Sequence, residues 1–393
     1  MADASPPKWH LAHTSWFFET FLLKATLPDY TVFHEQFEYL FNSYYNGIGQ
    51  PYPRTDRGFL SRPTVAEVLA YRRHVDEQMH GLLNNNAKSL REKIVLGLNH
   101  EQQHQELLLT DIKYNFGNNP LFPAYLDQSK HDADRQSVSH SRSGAEQPMS
   151  YREFAGGLVS IGAVDNGFCF DNELPQHRVF LAPYALASRV VSNAEYQQFI
   201  ADAGYQTPGL WLSDGWSWLQ QHPEICAPLY WHQRDGQWFE YTLRGLQPLR
   251  ADDPVCHVSF YEADAFARWR GERLPTEAEW ESASVGIETA AGNFVYAGYL
   301  HPQPAVEAPG LQQMFGDVWE WTVSAYGPYP GFRPAPGAIG EYNGKFMSNQ
   351  RVLKGGSCAT PADHIRSSYR NFFYPPDRWQ FSGIRLARDL DTE

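Results

Sequence analysis

Two histidines four residues apart, in Asn99-His100-Glu101-Gln102-Gln103-His104-Gln105-Glu106, can aim both imidazoles at one point. On a helix, at about 100° per residue, they lie ~40° apart. Leu96, Leu107 and Leu108 share their stripe, and Asp111 accompanies it. Imidazole binds zinc and iron, and a helix supplies two such ligands at a fixed separation with little loss of entropy. The competing reading is a pair of hydrogen-bonded core histidines. Two in register on an apolar stripe favour a metal.

His100-Glu101-x-x-His104 is also the zincin signature, in which Glu101 would act as general base on a zinc-bound water. That chemistry needs a third ligand downstream. Leu107 and Thr110 stand where the metzincin continuation requires glycine and histidine, and no Glu follows Glu106 until Glu146. The third ligand is therefore expected from elsewhere in the chain.

The elements that must position this pair come from the surrounding text. From Trp9 to Ala25 the sequence is dense in aromatic residues and leucine, follows a Pro-Pro start, carries His10 and His13, and predicts a helix. An amphipathic segment runs from Phe33 to Asn42, and Thr64 with Glu67 forms a capping-box pattern opening a helix through about Leu83. The His100 segment is the fourth. Four helices with short connections predict a helical bundle over residues 1–126. Between the second and third lies a Gly/Pro-rich loop carrying Tyr44, Tyr45, Arg54 and Arg57, presented either to a ligand or to the bundle end and solvent.

Residues 127–150 contain almost no apolar side chains and read as a polar linker, with His131 and His140 idle. Residues 151–393 change texture to short strands punctuated by Gly, Pro, Asn and Asp. Two clear helices are expected there, near Ala194–Ala203 and Tyr261–Gly271, in a mixed α+β domain.

Composition bounds the function classes. The 393 residues are 42% hydrophobic and 15% aromatic, enough for well-filled cores in two domains. A net charge of −13 argues against non-specific binding to nucleic acid or an anionic membrane. Cys169, Cys226, Cys256 and Cys358 are widely spaced, without a CxxC pattern, and read mostly as buried thiols. Neither a signal peptide nor an apolar run of about 18 residues is evident, so the cytoplasm is the expected location.

The C-terminal half reads Gly156-Gly157-Leu158-Val159-Ser160-Ile161-Gly162, Asp171-Asn172-Glu173-Leu174-Pro175-Gln176-His177, Arg273-Leu274-Pro275-Thr276-Glu277-Ala278-Glu279-Trp280-Glu281, Gly316-Asp317-Val318-Trp319-Glu320-Trp321-Thr322 and Gly383-Ile384-Arg385-Leu386-Ala387-Arg388. These words resemble the formylglycine-generating-enzyme/sulfatase-modifying-factor fold, which is related to C-type lectins. The N-terminal part, with Trp9-x3-His13-x2-Trp16-Phe17-Phe18-Glu19 and the His100 segment, resembles the DinB-like four-helix metal-binding bundle. In this order the two halves resemble the ergothioneine-biosynthesis sulfoxide synthases (EgtB-type) over nearly the whole chain.

The resemblance implies a non-haem iron(II) held by His13, His100 and His104, with His10 the rival to His13. It implies O₂-dependent joining of a thiol sulfur to the imidazole C2 of hercynine (Nα-trimethylhistidine). Tyr44 and Tyr45 match a tyrosine pair in one branch, Tyr45 slightly favoured as donor of a proton and electron. Gln103 matches a contact to the hercynine imidazole, and Asn371, Phe372 and Phe373 match the segment that cradles its carboxylate and trimethylammonium. Phe373 and Asp377 replace the acidic and basic residues of the γ-glutamylcysteine-using branch, which favours free cysteine. Arg54 and Arg57 are then the candidates for its carboxylate.

The alternatives belong to other classes. A copper formylglycine-generating oxidase would need paired thiols that four scattered cysteines do not provide. A lectin-like binding module would leave the tyrosine pair unexplained, and a zinc peptidase would need zinc alone. An ovothiol-type relative acting on histidine usually carries a further methyltransferase domain. The expected partners are the small molecules hercynine, cysteine and O₂.

Overall fold

The computed structural model describes residues 4–126, 148–164, 167–306 and 308–390. Most of the expected linker, with His131 and His140, lies outside the described residues. The chain divides into two compact units whose limits do not follow the linear boundaries at 126 and 151. The first unit gathers Met1–Asn115 with Ala163–Pro175 and Pro328–Met347. The second gathers Phe116–Gly162, Gln176–Gly327 and Ser348–Glu393. A composition change marks a change of texture, whereas a compact unit is set by which apolar faces meet.

In the first unit a proline opens the first helix, Pro7–Phe18, where a missing N–H costs nothing. Trp9, Ala12, Trp16 and Phe17 are buried on it together with His10, His13, Thr14 and Ser15. A helix covered on nearly all sides has no polar stripe to read. It continues through a π-helical turn, Glu19–Leu23, into Lys24–Thr26. The buried Glu19 carboxylate at the start of that turn accepts from Tyr30 Oη at 2.7 Å and Tyr71 Oη at 2.6 Å.

The second expected helix is shorter, Phe37–Phe41, and ends where Asn42 turns the chain. The Asn42 side chain accepts from Tyr45 N at 3.0 Å and donates to Tyr45 O at 3.0 Å and Gly49 O at 3.2 Å. An Asx-type turn therefore fixes the tyrosine pair.

Helical residues then run Val65–Gly117, opened by the Thr64–Glu67 capping box, in which Glu67 N donates to Thr64 Oγ1 at 3.3 Å. Arg72 pairs with Glu101, 29 residues on. In one straight helix these would stand roughly 43 Å apart. The segment therefore reverses between them, giving two antiparallel arms that correspond to the third and fourth expected helices. Val68, Tyr71, Val75, Met79 and Leu82 are buried along the first arm, and His100, His104 and Leu109 along the second. Gly97 permits the close approach of the first helix, since a Cβ there would meet Phe18 Cζ at 2.7 Å.

Among the described residues, the second unit is built on four small sheets. β1 (Tyr151–Phe154), β4 (Tyr184–Ala187) and β12 (Ala387–Asp389) form one, and β2 (Gly157–Ile161) pairs with β3 (His177–Leu181). β5 (Trp231–Arg234), β6 (Gln237–Thr242) and β7 (Gly245–Pro248) form an antiparallel meander. β8 (Trp319–Ala325), β9 (Arg351–Lys354), β10 (Asn371–Phe373) and β11 (Ser382–Gly383) pair in the order β10-β9-β8-β11.

The two expected helices are Asn193–Ala201 and Phe260–Trp269, and two more, Ser213–Gln221 and Glu277–Ser284, accompany them. The last is opened by a Thr276–Glu279 capping box that the sequence already spells. Several motif words of this half meet in its core. Arg385, fully buried, forks onto Glu320 with both contacts at 2.7 Å, and Trp280 Nε1 donates to Glu320 at 2.6 Å. Lys354 pairs with Glu281 at 3.0 Å.

Cys256 and Cys358 are buried, Cys169 is half-buried and Cys226 exposed. No helix among the described residues is long and apolar enough to cross a membrane.

Candidate metal centre

His13, His100 and His104 each bring one ring nitrogen to a common point, these atoms lying within 4.8 Å of one another. His13 comes from the first helix and the other two from the second arm of Val65–Gly117. The His13 ring is layered between Trp9 (centroids 4.7 Å, 12°) and Trp16 (5.5 Å, 13°). Its Nδ1 lies 2.6 Å from the Phe41 carbonyl. A carbonyl only accepts, so Nδ1 carries the proton and the lone pair is on Nε2. That Nε2 faces His100 Nε2 at 3.2 Å.

His104 is oriented from behind. Asp111 Oδ2 lies 3.0 Å from His10 Nε2, and His10 Nδ1 lies 3.0 Å from His104 Nδ1. One arrangement of protons satisfies both contacts: His10 Nε2–H donates to the carboxylate and His10 Nδ1 accepts from His104 Nδ1–H, which leaves the His104 lone pair on Nε2. Ser5 N also donates to Asp111 Oδ2 at 2.9 Å. His10, the rival to His13, thus stands behind the cluster, three residues and nearly one turn away.

Burial governs the electrostatics. It pushes His13 and His104 well below the ordinary imidazole range, with the neighbouring histidines adding to the effect, and takes His100 down to about 3. Three neutral imidazoles with lone pairs converging are what a divalent transition metal requires. The buried His100 Nδ1 has no hydrogen-bond partner. The donor set fits an Fe(II) or Zn(II) ion.

The loop residues divide. Arg57 is buried, its guanidinium 3.6 Å over the Trp9 ring, and donates to Ser43 Oγ at 3.0 Å and Ser5 Oγ at 3.2 Å. Its charge helps to lower His13 and His104. Arg54 is exposed. Tyr45 is fully buried against Trp16 and Phe21, and the Tyr44 and Tyr45 hydroxyls are 3.5 Å apart. Burial raises both phenols far above neutrality, so both are protonated.

Sequence reasoning missed the segment that completes this unit. Tyr342 stacks on Phe170 (5.4 Å, 6°), its ring lies 5.6 Å from His100, and its hydroxyl donates to Gln103 Oε1. Glu341 fastens the segment to the tyrosine turn by accepting from Gly47 N at 2.7 Å and Asn46 N at 3.0 Å. Nothing in Glu341-Tyr342-Asn343-Gly344 has a spacing that betrays this role. Asn371, Phe372 and Phe373 belong to the second unit, as β10. Phe372 stacks on Tyr326 at 4.0 Å, Phe373 meets Trp379 edge-on at 4.9 Å, and Asp377 accepts from Tyr374 N at 3.1 Å.

Two family models match. The DinB superfamily covers residues 1–108, and the sulfatase-modifying factor enzyme 1-like domain covers 150–306 and 301–390. A protein of Mycobacterium tuberculosis named hercynine oxygenase is 36% identical over 255 residues, 59% of this chain and 59% of its own length. One of Mycolicibacterium smegmatis with the same name is 33% identical over 326 residues, 76% of this chain and 72% of its own. A formylglycine-generating enzyme of M. tuberculosis is 28% identical over 251 residues, 50% of this chain and 83% of its own.

Proposed function

Because the chain belongs to the hercynine oxygenases, EgtB-type proteins in which a DinB domain precedes a sulfatase-modifying-factor-like domain, we propose that it is an iron(II)- and O₂-dependent sulfoxide synthase of ergothioneine biosynthesis. It joins the sulfur of cysteine to the imidazole C2 of hercynine. One thiol, one C2–H and one O₂ give the sulfoxide and one water, the S–H and C–H hydrogens leaving with the second oxygen atom. The observation that carries this reading is the convergence of His13, His100 and His104 as three buried, neutral imidazoles.

Iron(II), when bound by these three, supplies the electron transfer that lets O₂ react with a closed-shell thiol and imidazole. The chain's own groups do the rest. Tyr44 and Tyr45 are held as phenols by burial and can hand over a proton at Oη without being ionised beforehand. Arg57 contributes a fixed positive charge beside the histidines, suited to a substrate carboxylate. Gln103, with its Oε1 engaged by Tyr342, is fixed in orientation toward a ring nitrogen of the substrate imidazole. The Trp9, Trp16 and Phe17 rings around His13 and His100 exclude water.

The test is O₂ uptake by anaerobically Fe(II)-loaded protein given cysteine and hercynine, with mass spectrometry of the product. A cysteine–hercynine sulfoxide is expected. Uptake only with γ-glutamylcysteine would overturn the choice of thiol, and uptake only with histidine the choice of acceptor. No uptake with any pair by iron-loaded protein would overturn the reaction itself.

A further inference from the structure

The second unit holds a cluster that the proposed reaction does not use. Glu240 on β6, Asp253 in the loop that follows β7, and His301 are all buried, and each brings one potential ligand atom within 4.8 Å of the others. His301 Nε2 is 3.2 Å from Glu240 Oε1 and 3.3 Å from Asp253 Oδ2.

These separations decide between two readings. A protonated imidazole shared by two carboxylates would draw them into charge-assisted hydrogen bonds of about 2.7–2.9 Å. Ligands on a common transition metal, with bonds of about 2.0–2.2 Å, stand roughly 3.0–3.5 Å apart along the edges of the coordination polyhedron. Both contacts fall in the second range.

Asp253 adds an independent observation. It is 0% exposed, and neither carboxylate oxygen has a hydrogen-bond partner. Its other contact is Arg250 Nε, at 3.6 Å from Oδ1. A fully buried carboxylate ordinarily takes several hydrogen bonds or a metal. The opposite ring nitrogen, His301 Nδ1, is likewise buried without a partner.

We propose that Glu240, Asp253 and His301 form a second metal site in this protein, taking a divalent first-row transition cation, Zn²⁺ by its two-oxygen, one-imidazole donor set. The ligands come from a strand and two separate loops, so the ion ties together parts of the second unit distant in sequence. The site is independent of the histidine cluster of the first unit and of the reaction proposed for it.

The test uses the full chain stripped of metal, with His100→Ala and His104→Ala disabling the first cluster, titrated with Zn²⁺ alone. One zinc per chain is expected, with a rise in melting temperature. Adding Asp253→Asn or His301→Gln is expected to abolish that binding. A natively folded double variant that binds no zinc would overturn the proposal, and so would zinc stoichiometry unchanged by either added substitution. Should those variants fail to fold, an anomalous difference map at the zinc edge from zinc-soaked wild-type crystals decides. A peak among the three side chains supports the site, and no peak there overturns it.

Discussion

His10 Nδ1 lies 3.0 Å from His104 Nδ1, and the other His10 nitrogen lies 3.0 Å from the Asp111 carboxylate. On the proposed reading, a residue that looked like a competitor for the metal supports one of the candidate ligands instead. Groups that hold a metal-bound imidazole by its second nitrogen fix its tautomer and raise its basicity. His10→Ala is therefore expected to keep metal binding but weaken it about 10–100-fold. His13→Ala, His100→Ala and His104→Ala are expected to abolish it. Competition titration against a chelator of known affinity separates the two outcomes.

Acid stability follows from the three depressed imidazoles. In the unfolded chain they titrate near about 6.5, whereas in the folded, metal-free protein His100 does so at about 3 and the other two well below their usual range. The unfolded state then binds more protons in that window. Stability is fully present above about pH 6.5 and falls as the pH drops toward 3. Urea melts of metal-free protein between pH 7.5 and 4.5 should show this slope, and His100→Leu should flatten it. A flat wild-type profile would contradict the burial argument.

The tyrosine pair separates metal binding from turnover. Tyr45→Phe removes one hydroxyl while leaving the ring against Trp16 and Phe21. Iron stoichiometry is expected to be unchanged and sulfoxide yield to fall at least tenfold, with cysteine diverted to its sulfinic acid. Full yield in Tyr44→Phe, in Tyr45→Phe and in the double variant would remove both phenols from the reaction.

Tyr342→Phe tests the segment that sequence reasoning overlooked. The substitution keeps the stack on Phe170 and deletes the donor to Gln103. A hydrogen bond of this kind contributes about 0.5–1.5 kcal/mol, so KM for hercynine should rise roughly 2- to 12-fold. An unchanged KM would mean that Gln103 does not depend on this contact for its orientation.

Much of the first unit was legible because its signals are local. The His100/His104 spacing, the proline that opens the first helix and the Thr64–Glu67 capping box each depend on residues within a turn or two. The reversal within Val65–Gly117 was legible too, as two apolar-periodic stretches. The added helix at Glu277–Ser284 was spelled by its own capping box and passed over because its faces, buried all round, carry no amphipathic stripe. The π turn at Glu19–Leu23 had no such signal, since it exists to let Glu19 meet Tyr30 and Tyr71.

The sequence by itself determined the placement of the candidate groups, since residue types and helical spacing alone put His100 and His104 on one face and a tyrosine pair on a Gly/Pro-restrained loop. Only the tertiary structure decided that His13 faces the cluster while His10 turns to Asp111, because a one-turn ambiguity is broken by partners 28 residues away at Phe41 and 101 away at Asp111. Only it brought Tyr342 to Gln103, across 239 residues, and set Glu240 and Asp253 around His301. Those contacts are long-range packing choices. No spacing along the chain encodes them, because their geometry is fixed by how separate elements bury their faces together.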